Sequence, residues 1–127
     1  MAGVCLVVAG AVAAFLPTTE FTLSWRHSVE KIQWEERYLV EADQLTLVDA
    51  SIAGMGAGME PGLDAQLDAG RWHWRPSTPP LPELRLAVSR YSDDYEICLN
   101  GRCDTLATRA GTAGDAEVIV RPCNGRR

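Results

Sequence analysis

The strongest constraint on how this chain can fold is a change of parity within residues 21–40. Apolar side chains fall first on odd positions (Phe21, Leu23, Trp25, Val29) and then on even ones (Ile32, Trp34, Tyr38, Val40). Alternation with a period of two marks a half-buried strand, and a switch of parity means that the chain has turned. The stretch therefore predicts a β-hairpin. A two-residue loop at Glu30-Lys31 sets Val29 against Ile32, His27 against Trp34 and Trp25 against Glu36. His27 and Glu36 then become diagonal neighbours on the core-facing side, within reach of a hydrogen bond. Such a pairing is physically expected, because burying either group without a partner costs a few kcal/mol. The same alternation sends Ser28 and Glu35 to the opposite face.

The rest of the chain continues in short strands. Residues 45–52 predict a third strand, and residues 70–75 a fourth in which Trp72 and Trp74 share one face while His73 takes the other. Residues 84–91, 95–98, 103–106 and 117–120 complete the pattern, the last ending before Pro122. Residues 63–69 read as one helical turn or a loop, and the small, Gly-rich residues 107–115 as a loop. The proline-rich residues 76–82 form an extended connector, since proline has no N–H to give to a ladder. Seven to eight short strands separated by turn chemistry predict an all-β fold. The matching architectures are an antiparallel β-sandwich and a partly open barrel.

With 127 residues there is room for one domain, expected over residues 18–122 and followed by a basic tail, 123–127. Ahead of it, residues 1–17 contain no charged side chain, and residues 4–16 are almost wholly apolar. That length fits the apolar region of a signal peptide or a short inner-membrane anchor helix, with a buried first strand or helix as the remaining alternative. The expected location is therefore periplasmic, or at the inner membrane through residues 1–17. A net charge of −5 supplies no basic stripe to displace counterions from phosphate, which argues against nucleic acid.

Of the four cysteines, Cys5 lies inside the apolar leader. Cys98 and Cys103 flank Leu99-Asn100-Gly101-Arg102, and Asn-Gly is the strongest short hairpin signal. They come directly opposite each other, about 4.5 Å apart at Cα, and predict a cross-strand disulfide. Cys123 is left odd, either free or bonded to another chain. No set of four ligands presents itself, so no metal and no cofactor is expected. The alternate glycines Gly54, Gly56 and Gly58 could present successive N–H groups to an anion.

Several of these strings carry a resemblance. Trp25-Arg26-His27-Ser28-Val29-Glu30-Lys31, the following Trp34-Glu35-Glu36 with Tyr38, and Gly54-Met55-Gly56-Ala57-Gly58-Met59-Glu60-Pro61 resemble an exported bacterial family of unknown function. The likeness extends over about residues 20–106, through the 84–86 strand and the Cys98–Cys103 hairpin. Members of that family are commonly encoded beside tripartite (TRAP) transporters that use a TAXI-type solute receptor. The resemblance implies a periplasmic or membrane-facing partner of such a transporter, its receptor or its membrane subunit. It implies no catalytic residues.

The expected function is thus a non-catalytic accessory module. His27, Glu36, Gly54, Gly56, Gly58, Trp72 and Trp74 are its candidate binding residues, for a partner or a small polar or anionic ligand. One alternative is a structural envelope protein without a ligand. The other is a small hydrolase in which His27, oriented by Glu36, activates Ser28. The hydrolase has a geometric defect, because adjacent strand residues point to opposite faces.

Overall fold

The computed structural model of the chain describes residues 2–26, 33–53, 65–68, 70–89 and 94–125. Among these residues there are eleven strands and one short helix. In order they are β1 (Ala2–Val8), β2 (Ala11–Leu16), β3 (Glu20–Arg26), β4 (Gln33–Glu41), β5 (Gln44–Ala53) and β6 (Gln66–Asp68). Then come β7 (Arg71–Trp74), β8 (Leu84–Val88), β9 (Glu96–Leu99), β10 (Arg102–Thr105), α1 (Leu106–Ala110) and β11 (Ala116–Asn124). They build two antiparallel sheets, and neither closes into a barrel. One has four strands in the order β2-β1-β11-β8, the other seven in the order β10-β9-β3-β4-β5-β7-β6. A shared apolar cluster joins the sheets: Val4, Leu6, Leu86, Val118 and Val120 from the first, Phe21, Leu23, Tyr38, Leu45 and Ile97 from the second, with Leu106 of α1.

The helix expected at the N-terminus is not formed. Residues 2–16 make the hairpin β1–β2 instead, and β1 sits between β2 and β11. Its Val4 and Leu6 are 0% exposed. The run is apolar without interruption because both faces of β1 are covered, the pattern that periodicity alone cannot tell from a helix. A turn at Ala9-Gly10, both with positive φ (52° and 81°), reverses the chain.

The odd Cys123 is also corrected. Cys5 and Cys123 are bonded across β1 and β11, with Cα atoms 5.8 Å apart. The last strand therefore runs through Pro122 into the residues expected to be a tail. Proline is tolerated there because β8 pairs with β11 only as far as Val120, so beyond that point one side of β11 has no ladder to supply.

Hairpin β9–β10 forms as expected. Cys98 lies opposite Cys103, with a disulfide between them, and Asn100 and Gly101 take positive φ (52° and 77°) as a two-residue turn demands. The first hairpin forms with its faces as expected but with another register. Trp25 pairs with Trp34, Leu23 with Glu36 and Phe21 with Tyr38, a shift of two from a loop at Glu30-Lys31. The shift keeps every side chain on its face and sets Trp25 against Trp34, whose rings stack at 6.1 Å. Directly opposed aromatic pairs are among the better cross-strand contacts.

Residues 107–115 are not all loop. The Thr105 side chain caps α1 by accepting from the Thr108 N–H, Asp94 Oδ2 accepts from the Ala107 N–H at 2.9 Å, and Gly111 at φ 71° closes the helix. Within 63–69, the described residues Gln66–Asp68 form the short strand β6. The proline-rich connector is extended as expected, and it touches β5 through the pair of backbone hydrogen bonds between Leu81 and Leu45, 2.9 and 2.7 Å.

Candidate functional site

The registers of the seven-stranded sheet place its inward side chains in rows. One row runs Leu67, Trp72, Ile52, Trp34, Trp25 across β6, β7, β5, β4 and β3. The next, one pleat further along, runs Trp74, Ala50, Glu36, Leu23, Ile97 across β7, β5, β4, β3 and β9. All four tryptophans of the chain thus share one face of one sheet, three of them in the same row. The β5 strand reaches both rows and the main core because its pairing with β4 shifts between Arg37 and Tyr38. This shift moves its inward positions from Ile52 and Ala50 to Leu47 and Leu45.

The aromatic rings touch in sequence. Trp34 stacks on Trp25 and meets Trp74 edge-on at 6.0 Å, and Trp25 meets Tyr95 edge-on at 5.7 Å. Ile52, fully buried, is the centre of a small second cluster with Trp34, Trp72 and Trp74. The tryptophans are only half-buried, and Leu67 at the end of the row is 60% exposed. This side of the sheet thus offers apolar, π-rich surface to solvent.

Glu36 is the one charged side chain in these rows. The Tyr38 hydroxyl donates to Glu36 Oε1 at 2.8 Å, and no ion pair to Glu36 is made among the described residues. Burial raises its pKa, and the Tyr38 hydrogen bond opposes that rise in part. The Tyr38 hydroxyl is pushed up in turn by its own burial, by the Glu36 charge and by the bond between them. Tyr95 is raised first by burial, then by the charges of Glu36 and Asp94.

The sign of the linkage follows. A carboxyl whose folded pKa lies above its usual 4.5 favours folding below that value and costs stability as pH rises through the folded pKa. Glu36→Gln keeps an acceptor for Tyr38 and removes the buried charge. It is therefore expected to raise the melting temperature at neutral pH and to leave it unchanged near pH 4, read by thermal denaturation at both. Equal effects at the two pH values would show that the Glu36 charge is not what burial penalises.

The opposite face is polar and ion-paired. Ser51, 1% exposed, accepts from Arg71 Nε and Nη2 at 3.2 and 3.1 Å, and Arg71 lies 3.9 Å from Glu35. His73 faces this side as expected, its Nδ1 3.5 Å from Asp49 Oδ2.

Of the candidate residues, Glu36, Trp72 and Trp74 are brought to one face. His27, Gly54, Gly56 and Gly58 lie outside the described residues. Their described chain neighbours are close together: Arg26 pairs with Gln33 on β3 and β4, while Ala53 on β5 pairs with Arg71 on β7. These are the last pairs at one end of the sheet, the end at which Tyr95 packs on Trp25. Sequence reasoning set Trp25 opposite Glu36 but did not count Trp25, Trp34, Tyr38 or Tyr95 among the candidate binding residues. The parity rule held the signal for the first three, since all sit on the inward positions of the first hairpin.

The arrangement can bind an apolar or aromatic surface, and its recessed carboxylate can take a donor or a cation over the rings. For metal ligation the described residues bring together Glu96, Cys98 and Cys103. The two sulfurs there are bonded to each other, which removes the thiolates a metal would need.

Two disulfides point to an oxidising, non-cytoplasmic location. No helix among the described residues is long and apolar enough to cross a membrane. No curated protein and no solved structure matches the chain. Residues 21–106, which hold the hairpin, both rows of the aromatic face and the Cys98–Cys103 disulfide, match the family described as "Domain of unknown function (DUF1850)", and the chain belongs to that family.

Proposed function

We propose that the domain is a non-catalytic recognition module that works outside the cytoplasm. Its binding face is the tryptophan-rich side of the seven-stranded sheet, with Glu36 as the polar anchor. The observation that carries this reading is the row Leu67–Trp72–Ile52–Trp34–Trp25 with a carboxylate one pleat behind it. Half-buried tryptophans in contact with one another are expensive to leave wet, and such residues dominate the energetics of interfaces. The sequence strings that resemble an exported, transporter-linked family supply the partner. On this reading the domain is exported and serves a TRAP transporter of the TAXI type, engaging its solute receptor or a membrane subunit. A small polar ligand held at Glu36 is compatible with the same face.

The test is direct binding of the purified chain to the solute receptor and to the membrane subunits in detergent. Trp72→Ala is expected to weaken binding by at least about tenfold, the size typical of an aromatic anchor. Outward Arg85→Ala on the other sheet is expected to leave binding unchanged. Binding that survives Trp72→Ala and Trp74→Ala together would remove this face from the interface. No binding to any component would favour a structural role without a ligand.

A further inference from the structure

We propose that the group taken up at Glu36 is the guanidinium of an arginine side chain carried by the partner protein, paired with the carboxylate and laid over the surrounding rings. The proposal rests on the reading of the tryptophan-rich face as a recognition surface, and it names the chemistry that this face recognises. Four other glutamates have an arginine of their own chain. Glu20 is paired with Arg37 at 2.7 Å, Glu35 with Arg71 at 3.9 Å, and Glu83 and Glu117 with Arg85 at 3.0 and 3.5 Å. Glu36 has no such partner among the described residues.

The register explains the difference. Leu23 lies opposite Glu36 on β3, and Ala50 opposite it on β5. Trp25 and Ile52 hold diagonal positions, and Trp34 and Tyr38 the flanking same-face positions along β4. The expected register gave one of those diagonals to His27; in the structure it belongs to Trp25. None of these six neighbours is an acidic or basic residue, and the Tyr38 hydroxyl is a neutral donor. A carboxylate so placed gives up hydration without gaining an opposite charge, and a cation from outside completes it.

The rings and their extent select the cation. A hard metal ion calls for several oxygen ligands, of which the side chains of these six neighbours offer the Tyr38 hydroxyl alone. Trp25, Trp34, Trp74 and Tyr95 instead present connected, half-buried rings. A guanidinium forks onto a carboxylate while its plane stacks on such rings. The row from Leu67 to Trp25 crosses five strands, roughly 19 Å. A free small cation covers the rings beside Glu36 and leaves Leu67 at the far end wet, whereas an arginine on a protein surface brings cover for the whole row. The net charge of −5 favours a basic partner surface in the same way.

The experiment titrates the full, oxidised chain with a capped Leu-Arg-Leu peptide and with its citrulline counterpart, which keeps the shape and lacks the charge. The indole N–H signals of the four tryptophans report binding by NMR. The arginine peptide is expected to shift them and to bind at least about tenfold more tightly than the citrulline one. In Glu36→Gln, which keeps an acceptor for Tyr38, the two peptides should bind alike. Glu117→Gln, on the other sheet, should leave the preference intact. Four outcomes overturn the proposal. They are equal affinities in the native chain, a preference that survives Glu36→Gln, guanidinium ion alone binding as tightly as the arginine peptide, and no shift with either peptide up to about 10 mM. The recognition reading fails separately, when transporter components still bind a chain carrying both Trp72→Ala and Trp74→Ala.

Discussion

A chain shortened to begin at Thr18 is expected not to reach the native fold. The cut removes β1 and β2, half of the four-stranded sheet, and with them Val4, Leu6 and Leu16 from the shared core. Full burial of an aliphatic side chain contributes roughly 1.5–3 kcal/mol, so the three together contribute roughly 4–9 kcal/mol. That is on the scale of a whole domain's stability, about 5–15 kcal/mol. The cut also exposes the ladder of β11 along seven paired positions and leaves Cys123 without its partner. Thermal unfolding followed by circular dichroism, with a dye that binds exposed apolar surface, reads the result. Cys123→Ser in the shortened chain keeps a stray thiol from confusing it. A cooperative transition like that of the full chain would show that the N-terminal strands are dispensable and would restore the reading of residues 1–17 as a leader.

The second large effect is expected at Cys5. The bond to Cys123 spans 118 positions, whereas Cys98 and Cys103 are 5 apart. In the chain-entropy account the first restrains the unfolded state by about 5 kcal/mol and the second by about 2 kcal/mol. Cys5→Ser is therefore expected to lower the melting temperature by roughly 10–20 °C and Cys98→Ser by less than half as much. Cys123→Ser, alone or combined with Cys5→Ser, should match Cys5→Ser, because each removes the same bond. A larger loss at Cys98 than at Cys5 would contradict the account. Reducing conditions, which open both bonds, should lower the melting temperature further than Cys5→Ser alone, which ties the fold to an oxidising compartment.

These two residue sets are also where the sequence was hardest to read. The all-β class, the first hairpin and its faces, the Asn100-Gly101 turn and the Cys98–Cys103 bond were legible because each depends on residues a few positions apart. The run at residues 4–16 was not, since β1 is buried on both faces and has no alternation to show, and the alanines of β2 add no polar positions to mark its exposed side. Its assignment rests on β11, more than a hundred residues later, which supplies the second ladder to β1 and the partner to Cys5. Helix α1 escaped notice because part of its capping comes from Asp94, across a turn and a hairpin.

The candidate site divides in the same way. Alternation alone put Trp25, Trp34, Glu36 and Tyr38 on one face, and separately put Trp72 and Trp74 on one face. Only the tertiary structure joined them, because β5 lies between β4 and β7 and its register aligns Ile52 with both Trp34 and Trp72. Tertiary packing also moved the first hairpin by two residues, setting Trp25 against Trp34. Sequence by itself determined which side chains face inward, since that depends only on the pleat of each strand. Structure decided which of them meet, because register and strand order depend on side-chain packing between segments that local pattern does not connect.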